Sequence, residues 1–163
     1  MSSTLKLCVA QDAVEDSLNF VLLKSTEDTN KVKTYFELIK RVRKYDNPRA
    51  MNLAEQQLAL SKKIGYKWGI GKAHNAMGLI ATSNKNAHQA LEEYRQAARA
   101  FSEINDCGDL SSSYANISGV FSDVSIFMNI NGKLRNDTAI YFAKMAAKYN
   151  EMINVDSTGT VLL

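Results

Sequence analysis

Apolar residues recur at intervals of three and four along most of the chain, which is the spacing of one face of an α-helix. The clearest stripe has successive spacings of 4, 3, 4, 3 and 4 and consists of Leu110, Tyr114, Ile117, Phe121, Val124 and Met128. Side chains of a β-strand alternate with a period of two, so a strand could not bury this set on one face. The pattern therefore predicts helices.

The same spacing, interrupted by polar residues of the capping type, predicts the order of the helices. A short leading helix lies around Val14 to Leu22, and longer helices follow at about 31–45, 47–63, 68–83 and 87–104, from Asp109 onward, and at about 139–152. The predicted N-caps are Thr29, Asn47, Asn86 and Asp109. Asn86 also makes a capping-box-like pair with Gln89.

Composition agrees with an all-α domain. The chain has 163 residues, of which 45% are hydrophobic, and it contains a single proline and 8 glycines. This length suits one domain. We predict an N-terminal segment with a short helix at 1–28 and a helical repeat domain at 29–163. The predicted units of that domain are 31–65, 66–105, 109–152 and the start of a further helix at 156–163.

The segment from Ile64 to Ile104 reads as one period of a helical repeat, with small residues where two helices would cross. Gly78 on its first helix lets the second helix approach, and Tyr94 fills the space between flanking alanines. The predicted signature positions of this hairpin are Gly78, Ala90, Tyr94 and Ala97. In the next hairpin they are Gly119, Ala139, Ala143 and Ala146.

The last hairpin departs from this register. Gly78 precedes Ala90 by twelve positions, whereas Gly119 precedes Ala139 by twenty. The extra residues fall at about 127–136, and either an extended helix pair or a surface loop would absorb them. An array of repeats needs a polar cap on its last face. We therefore expect an uncapped C-terminal end, a longer parent protein, and a homodimer formed through that end.

The order of a glycine on one helix and A-x3-Y-x2-A on the next resembles the tetratricopeptide repeat family, including its versions with longer helices and a longer period. This resemblance implies a right-handed α-solenoid of about three helical hairpins. Four segments further resemble the N-terminal sensor region of bacterial tetratricopeptide signalling proteins, chiefly histidine kinases. They are 16–18, 27–32, 46–50 and 61–69.

That second resemblance implies a non-catalytic scaffold that binds a protein or peptide, as the sensory region of a larger bacterial signalling protein. It favours a periplasmic or other extracytoplasmic location, while the residues themselves leave a cytoplasmic location open. The alternative is a signal-peptide or small-ligand receptor domain that controls a linked transcription regulator. Kinase activity is not implied, because the chain has no kinase motif.

Several classes of chemistry lack their motifs. The sequence has no phosphate-binding glycine loop, no GxSxG and no HExxH, so we expect neither an enzyme nor a cofactor. Cys8 and Cys107 lie far apart without metal-ligand spacing, so no metal site is expected. His74 and His88 read as packing or surface imidazoles. No apolar run is long enough to span a membrane.

The charge of the chain limits the classes of partner that we expect. The formal net charge is only +3, so nucleic acid is not expected. The basic run Lys40 to Lys44 has no interleaved aromatic residues. It could hold an acidic peptide, a phosphate or a membrane surface, and a solvated helix face is the preferred interpretation.

The candidate binding site rests on an asparagine that stands three residues before each glycine, Asn75 before Gly78 and Asn116 before Gly119. An amide side chain offers a donor and an acceptor, which suit a peptide backbone. The alternative is that these amides satisfy helix ends or water. On the concave face we predict a peptide-binding stripe on two successive first helices, formed by Lys72, Asn75, Leu79 and Thr82 and by Ser113, Asn116, Val120 and Asp123.

Overall fold

The computed structural model describes residues 3–123 and 132–158, with the side chains of 13–123 and 135–153. Within these ranges the chain forms seven α-helices and no strand, so the predicted all-α class is confirmed. The helices are α1 (Ser3–Lys24), α2 (Thr29–Val42), α3 (Asn47–Lys63), α4 (Lys67–Ser83), α5 (Ala87–Ser102), α6 (Cys107–Ser122) and α7 (Gly132–Thr158).

Each helix packs against the next one in the chain, and α2 also packs against α4. This sequential packing is that of a helical repeat solenoid, as predicted. We call α2, α4 and α6 the first helices, and α3, α5 and α7 the second helices. The core consists of small clusters between neighbouring helices, such as the one in which Tyr94 of α5 contacts Ile117 and Val120 of α6.

The turns between the helices repeat with a strict period. Successive N-caps stand at equal intervals along the chain, at Asp46, Tyr66, Asn86 and Asp106. The residues before the last three have positive φ angles of 69°, 59° and 54°, at Gly65, Lys85 and Asn105. Each of those three N-caps donates its backbone N–H to the carbonyl five positions earlier, at 2.8 to 3.0 Å. This left-handed turn closes one helix and opens the next, and it fixes the hairpin period at two such intervals.

The caps differ in part from the prediction. Asn86 is confirmed, since its side chain accepts from the Gln89 N–H at 3.1 Å and donates to the Gln89 side chain. At the other three helix starts with a predicted cap, the cap is an aspartate that stands before the predicted residue: Asp28, Asp46 and Asp106. Thr29, Asn47 and Asp109 instead lie within the first turn. An ionised carboxylate is a strong acceptor for the free N–H groups at a helix start, which explains why Asp28 and Asp46 replace Thr29 and Asn47. Asp106 rather than Asp109 is the cap because the periodic turn ends at position 106.

The leading helix is longer than predicted. With 22 residues, α1 packs through Leu18 and Leu22 onto the cluster that contains Leu38 and Val42. Glu15 accepts hydrogen bonds from the Tyr45 hydroxyl and from the Arg49 guanidinium. These two bonds tie α1 to the turn between α2 and α3 and to the first turn of α3, so α1 packs directly against the first hairpin.

The last helix, α7, contains parts of two segments that were predicted to lie outside it, the insertion and the further helix. Residues 132–136 of the predicted insertion form the start of α7, and residues 156–158 form its end. The expected further helix therefore does not begin at 156. The rest of the insertion, Val124 and Met128 of the apolar stripe, and 159–163 lie outside the described residues.

Two glycines of α4 set the close approach of α5. A Cβ atom on Gly78 would lie 2.6 Å from the Tyr94 ring, and one on Gly71 would lie 2.6 Å from the Phe101 ring. Both rings are buried, with 1% of their surface exposed. Ala90 and Ala97, which complete the predicted signature of this hairpin, are fully buried on the same helix as Tyr94.

The following hairpin uses serines at the corresponding places. Ser111 and Ser118 follow Gly71 and Gly78 by one period, and their hydroxyls donate to the backbone carbonyls of Ala146 and Ala139, at 2.8 and 2.9 Å. These alanines are 8% and 7% exposed. Because a hydroxyl is small and finds its acceptor on α7, the helices stay close without glycine.

The predicted close crossing at Gly119 is therefore wrong. Gly119 is exposed, and nothing lies within 4 Å of the Cβ position. It stands one position past the place that corresponds to Gly78, which turns it out of the contact. Ala143 is exposed too. A ring that packs against α6 belongs to its neighbour Phe142, which stacks on Phe121 and Tyr114, and Tyr149 of α7 also stacks on Tyr114.

The two glycines should respond in opposite ways to alanine. Gly78→Ala should lower the free energy of unfolding by about 1–3 kcal/mol, because the methyl group overpacks a buried ring. Gly119→Ala should raise it by up to about 1 kcal/mol, because alanine has the higher helix propensity and the methyl group meets open space. Urea unfolding measures both changes. A loss of stability in both variants would instead indicate that Gly119 also lies at a close helix crossing.

Acid should weaken the attachment of α1. The Tyr45 hydrogen bond, opposed by burial and aided by Arg49, lowers the pKa of Glu15. A carboxyl with a depressed folded pKa stabilises the fold above its ordinary pKa and loses that contribution as the pH falls through the folded value. At pH 7, Glu15→Gln should therefore cost about 1 kcal/mol, and the difference from wild type should shrink as the pH falls below the ordinary pKa range of a glutamate. Thermal unfolding against pH tests this, with the exposed Glu55→Gln as control.

Candidate binding surface

Neighbouring first helices contact one another through a row of side chains that we call the first-helix surface. Its members are Phe36, Lys40, Trp68, Lys72, Asn75, Asp109 and Asn116. The row follows from the helical spacing of three and four on each first helix. It contains three of the eight predicted binding residues, and it adds aromatic residues that the sequence did not single out.

Lys72 is held in an aromatic cage. Its ammonium lies 5.1 Å from the ring centre of Phe36, 5.3 Å from that of Trp68 and 5.7 Å from that of Phe101. It also forms an ion pair with Asp109. Only 16% of the lysine side chain and 20% of the aspartate side chain are exposed. The charge of Lys72 is therefore used inside the protein, to join four helices, and is not free for a ligand.

The two predicted asparagines bond to each other. Asn116 Nδ2 donates to Asn75 Oδ1 at 2.9 Å, across the gap between α6 and α4. Asn75 Nδ2 and Asn116 Oδ1 make no hydrogen bond within the described part of the chain, and neither belongs to the buried polar atoms without a partner. The pair thus serves the contact between the helices and still presents one donor and one acceptor to solvent.

The predicted residues at the far end of α4 mainly support the fold. The Thr82 hydroxyl donates to the Gly78 carbonyl at 2.9 Å and lies 3.2 Å from the Tyr94 hydroxyl. Burial raises the pKa of Tyr94, against the effect of this hydrogen bond and of the Arg43 charge. Leu79 is half-buried against the core.

Asp123 forms a further contact between neighbouring repeats. The Nζ atom of Lys85, which follows α4, lies 3.4 Å from its carboxylate. Together with the pairs Lys72 with Asp109 and Asn75 with Asn116, this gives three polar contacts in a row. Four of the eight predicted residues, Lys72, Asn75, Asn116 and Asp123, thus have polar partners on the neighbouring repeat.

Two members of the predicted stripe cannot contact a ligand. Ser113 is fully buried and Val120 is 2% exposed. They lie on the core-facing stripe of α6 together with Leu110 and Ile117. The Ser113 hydroxyl is satisfied by the Asp109 carbonyl at 2.9 Å. A serine that bonds within its own helix can occupy a core position. The alignment of the two hairpins on Asn75 and Asn116 put Ser113 on the predicted stripe, one position past Ser112, which follows Lys72 by one full period.

The aromatic members were missed, although the sequence contained a signal for one contact. Trp68 is the single tryptophan of the chain, and Lys72 follows it by four positions, which places the two on one helix face. Phe36 and Phe101 reach the same cage from α2 and α5. No local spacing could have shown that they converge.

The basic run divides between two sides of α2. Arg41 lies near enough to Glu15 to contribute to its lowered pKa, after the larger effects of Tyr45, burial and Arg49. Lys40 pairs with Glu37 at 3.1 Å and lies 5.2 Å from the Phe36 ring centre. Lys33, Arg43 and Lys44 form no ion pair within the described residues. The α2 edge of the first-helix surface is thus positively charged.

Other candidate chemistry is sparse. His74 Nδ1 lies 2.7 Å from Glu93 at the contact of α4 and α5, and His88 is exposed. Among the residues that the structure describes, no group of three His, Cys, Asp or Glu side chains could hold a metal ion. In the same residues, no helix combines the length and hydrophobicity that a bilayer span requires.

Comparison with known proteins leaves the surface to be interpreted from its own chemistry. No protein-family model, no curated protein and no solved structure matches this chain.

The cage predicts an energetic coupling between Lys72 and Asp109. Asp109→Asn should lower the free energy of unfolding by about 1–3 kcal/mol, because it leaves a charge enclosed without its partner. Lys72→Met should restore much of this loss in the double variant, since a thioether packs well against aromatic rings. A double-mutant cycle by urea unfolding measures the coupling. The exposed pair of Lys63 with Glu27 is the control and should show no measurable coupling. Equal coupling in both pairs would contradict the cage.

Proposed function

We propose that this chain is a non-catalytic interaction module that binds an extended peptide of a partner protein across the first-helix surface. We further infer that it is a tetratricopeptide-type domain and the sensory or interaction region of a larger bacterial signalling protein. The identification of the repeat rests on the A-x3-Y-x2-A order around Tyr94 and its place opposite Gly78. The signalling role rests on the resemblance of the segments 16–18, 27–32, 46–50 and 61–69.

The observation that carries the proposal is the pair of free amide atoms on the surface. Asn75 Nδ2 can donate to a peptide carbonyl, and Asn116 Oδ1 can accept from a peptide N–H. Their mutual bond of 2.9 Å holds both amides in place before a ligand arrives. Groups held in place in this way lose little rotamer freedom on binding.

The charges support a peptide with acidic residues. Within the described part, the cations of α4 and of the turn that follows it are already paired, Lys72 with Asp109 and Lys85 with Asp123. The α2 edge keeps Lys33, Arg43 and Lys44. An acidic residue beside the segment that contacts the amides would therefore meet positive charge, and binding should weaken as salt screens it. The same internal pairing leaves few groups free for acid–base chemistry, which supports a non-catalytic role.

The test uses an acidic peptide selected on the wild-type protein from a phage library of random unstructured peptides. Asn75→Asp keeps an oxygen for Asn116 Nδ2 and replaces the free donor by an acceptor. Affinity for the peptide, measured by fluorescence polarisation, should fall by at least roughly 3-fold to 10-fold, which corresponds to about 0.5–1.5 kcal/mol for one lost hydrogen bond. The new negative charge of the aspartate also repels an acidic peptide and adds to this loss. Thermal stability should stay near the wild-type value.

A matched control comes from α3. Asn52 also accepts a hydrogen bond through its side-chain oxygen, from Gln56, and it is exposed on a second helix. Asn52→Asp makes the same chemical change away from the surface and should leave affinity unchanged. Equal losses in both variants, or selected peptides whose affinity ignores Asn75→Asp, would overturn the proposal.

A further inference from the structure

The two ends of the solenoid expose apolar surfaces of opposite shape. At the first end, α1 exposes large side chains, with 62% of Phe20 and 82% of Leu23 accessible. Asp16, Phe20 and Leu23 follow at i, i+4 and i+7, so they form one stripe on the helix. This stripe faces away from Leu18 and Leu22, which pack on the first hairpin.

At the other end, α7 exposes a stripe of small residues next to an apolar one. Ile140 is 52% exposed, and Ala143 and Ala147 beside it are exposed as well. These three residues are spaced by three and four and therefore share one face. On the adjacent α6, the exposed residues Ser112, Ala115 and Gly119 are also small.

The hairpin of α4 and α5 shows what the corresponding face does one repeat earlier. The residues of α5 opposite Gly71 and Gly78 are Phe101 and Tyr94. The residues of α7 opposite Ser111 and Ser118 are Ala146 and Ala139, and each stands forty-five positions after its counterpart on α5. By the same offset Ala143 corresponds to Ala98.

In α5, this alanine is covered by the next helix. Ala98 is 7% exposed and belongs to the cluster that contains Leu110 of α6. On α6, Ser112, Ala115 and Gly119 correspond, one period earlier, to residues of α4 that include Lys72 and Asn75, which contact α6. The counterparts of Ile140 and Ala147 on α5 are Arg95 and Ser102, which are exposed. The part of this end that repeats a docking surface is therefore the one around Ala143 and the small residues of α6.

We propose that a second copy of this chain docks its α1 on that end, so that copies associate head to tail. The large side chains of Phe20 and Leu23 fit a groove bordered by small residues, as ridges pack into grooves between helices. The contact continues the helix-to-helix interface already present between α5 and α6. It would bury side chains that are otherwise among the most exposed apolar residues of the described chain.

Charge favours the same pairing. Asp16 lies in the α1 stripe, and Lys144, four positions after Ile140 and three before Ala147, is exposed on the same face of α7. The exposed acids Asp137 and Glu151 lie toward the two ends of that face, so the favoured register sets Asp16 against Lys144. None of these four charges forms an ion pair within the described residues. The two halves of the interface lie on different surfaces of one chain, so the contact is heterologous. However many copies associate, the assembly keeps one unoccupied α1 surface at one end and one unoccupied α7 surface at the other. This inference does not depend on the peptide site.

Sedimentation velocity over a range of protein concentrations tests the proposal. Wild type should form dimers and longer oligomers as concentration rises. Leu23→Lys blocks one half of the contact and Ala143→Lys the other, and each variant alone should associate at least tenfold more weakly. Both sites are exposed, and circular dichroism verifies that the variants stay folded. Ala59→Lys, at an exposed alanine of α3, is the control and should associate as wild type does.

Mixing the two variants distinguishes this arrangement from others. The Leu23→Lys copy keeps an intact α7 end, and the Ala143→Lys copy keeps an intact α1. Their mixture should form heterodimers that go no further, because both remaining ends are blocked. A monomeric wild type at all concentrations would overturn the proposal. So would a mixture that stays monomeric, or association that is sensitive to Ala143→Lys and indifferent to Leu23→Lys, which would indicate a symmetric contact between two α7 helices.

Discussion

The separation between paired helices is the constraint on which this structure depends. In the central hairpin it is set where Gly78 meets the Tyr94 ring and Gly71 meets the Phe101 ring, two helical turns apart on antiparallel helices. Because the rings fill the space that side chains on α4 would need, they reach past α4 toward the first-helix surface. There Phe101 becomes a wall of the Lys72 cage, and the Tyr94 hydroxyl meets Thr82. The packing of the hairpin thus also builds part of the candidate binding surface.

Local signals predicted the helices well, because each signal and the structure that it predicts lie within a few residues. The apolar spacing placed α2 to α5 to within a few residues of their ends, and the pair of Asn86 and Gln89 identified a true cap. Gly78 was also recognisable, since a glycine in a helix interior normally has a packing reason.

The failures have a common cause, which is chemical resemblance taken for positional equivalence. Gly119 resembles Gly78, whereas the residue that holds its place is Ser118, whose hydroxyl bonds across to α7. The same shift of one position put Ser113 on the predicted stripe in place of Ser112, although Ser113 lies in the core, where the Asp109 carbonyl satisfies its hydroxyl. The Lys72 cage could not be predicted for another reason, because Phe36, Phe101 and Asp109 come from three other helices. Only the period of the N-caps, Asp46 to Asp106, would have given the correct register.

That period has a consequence for how such a chain can change during evolution. The turns that end at Asp46, Tyr66, Asn86 and Asp106 are spaced equally, so a gene segment that encodes one whole hairpin can be duplicated or lost between two of them with intact junctions. A single inserted codon within a helix instead rotates every later side chain by about 100°. This rotation would separate the serine hydroxyls of α6 from the carbonyls of α7 that they bond, and the aromatic rings of α5 from the glycines of α4. Recombination between whole hairpins is therefore tolerated far better than small insertions. The offset of a single position between Gly119 and Ser118 shows how narrow the margin within a helix is.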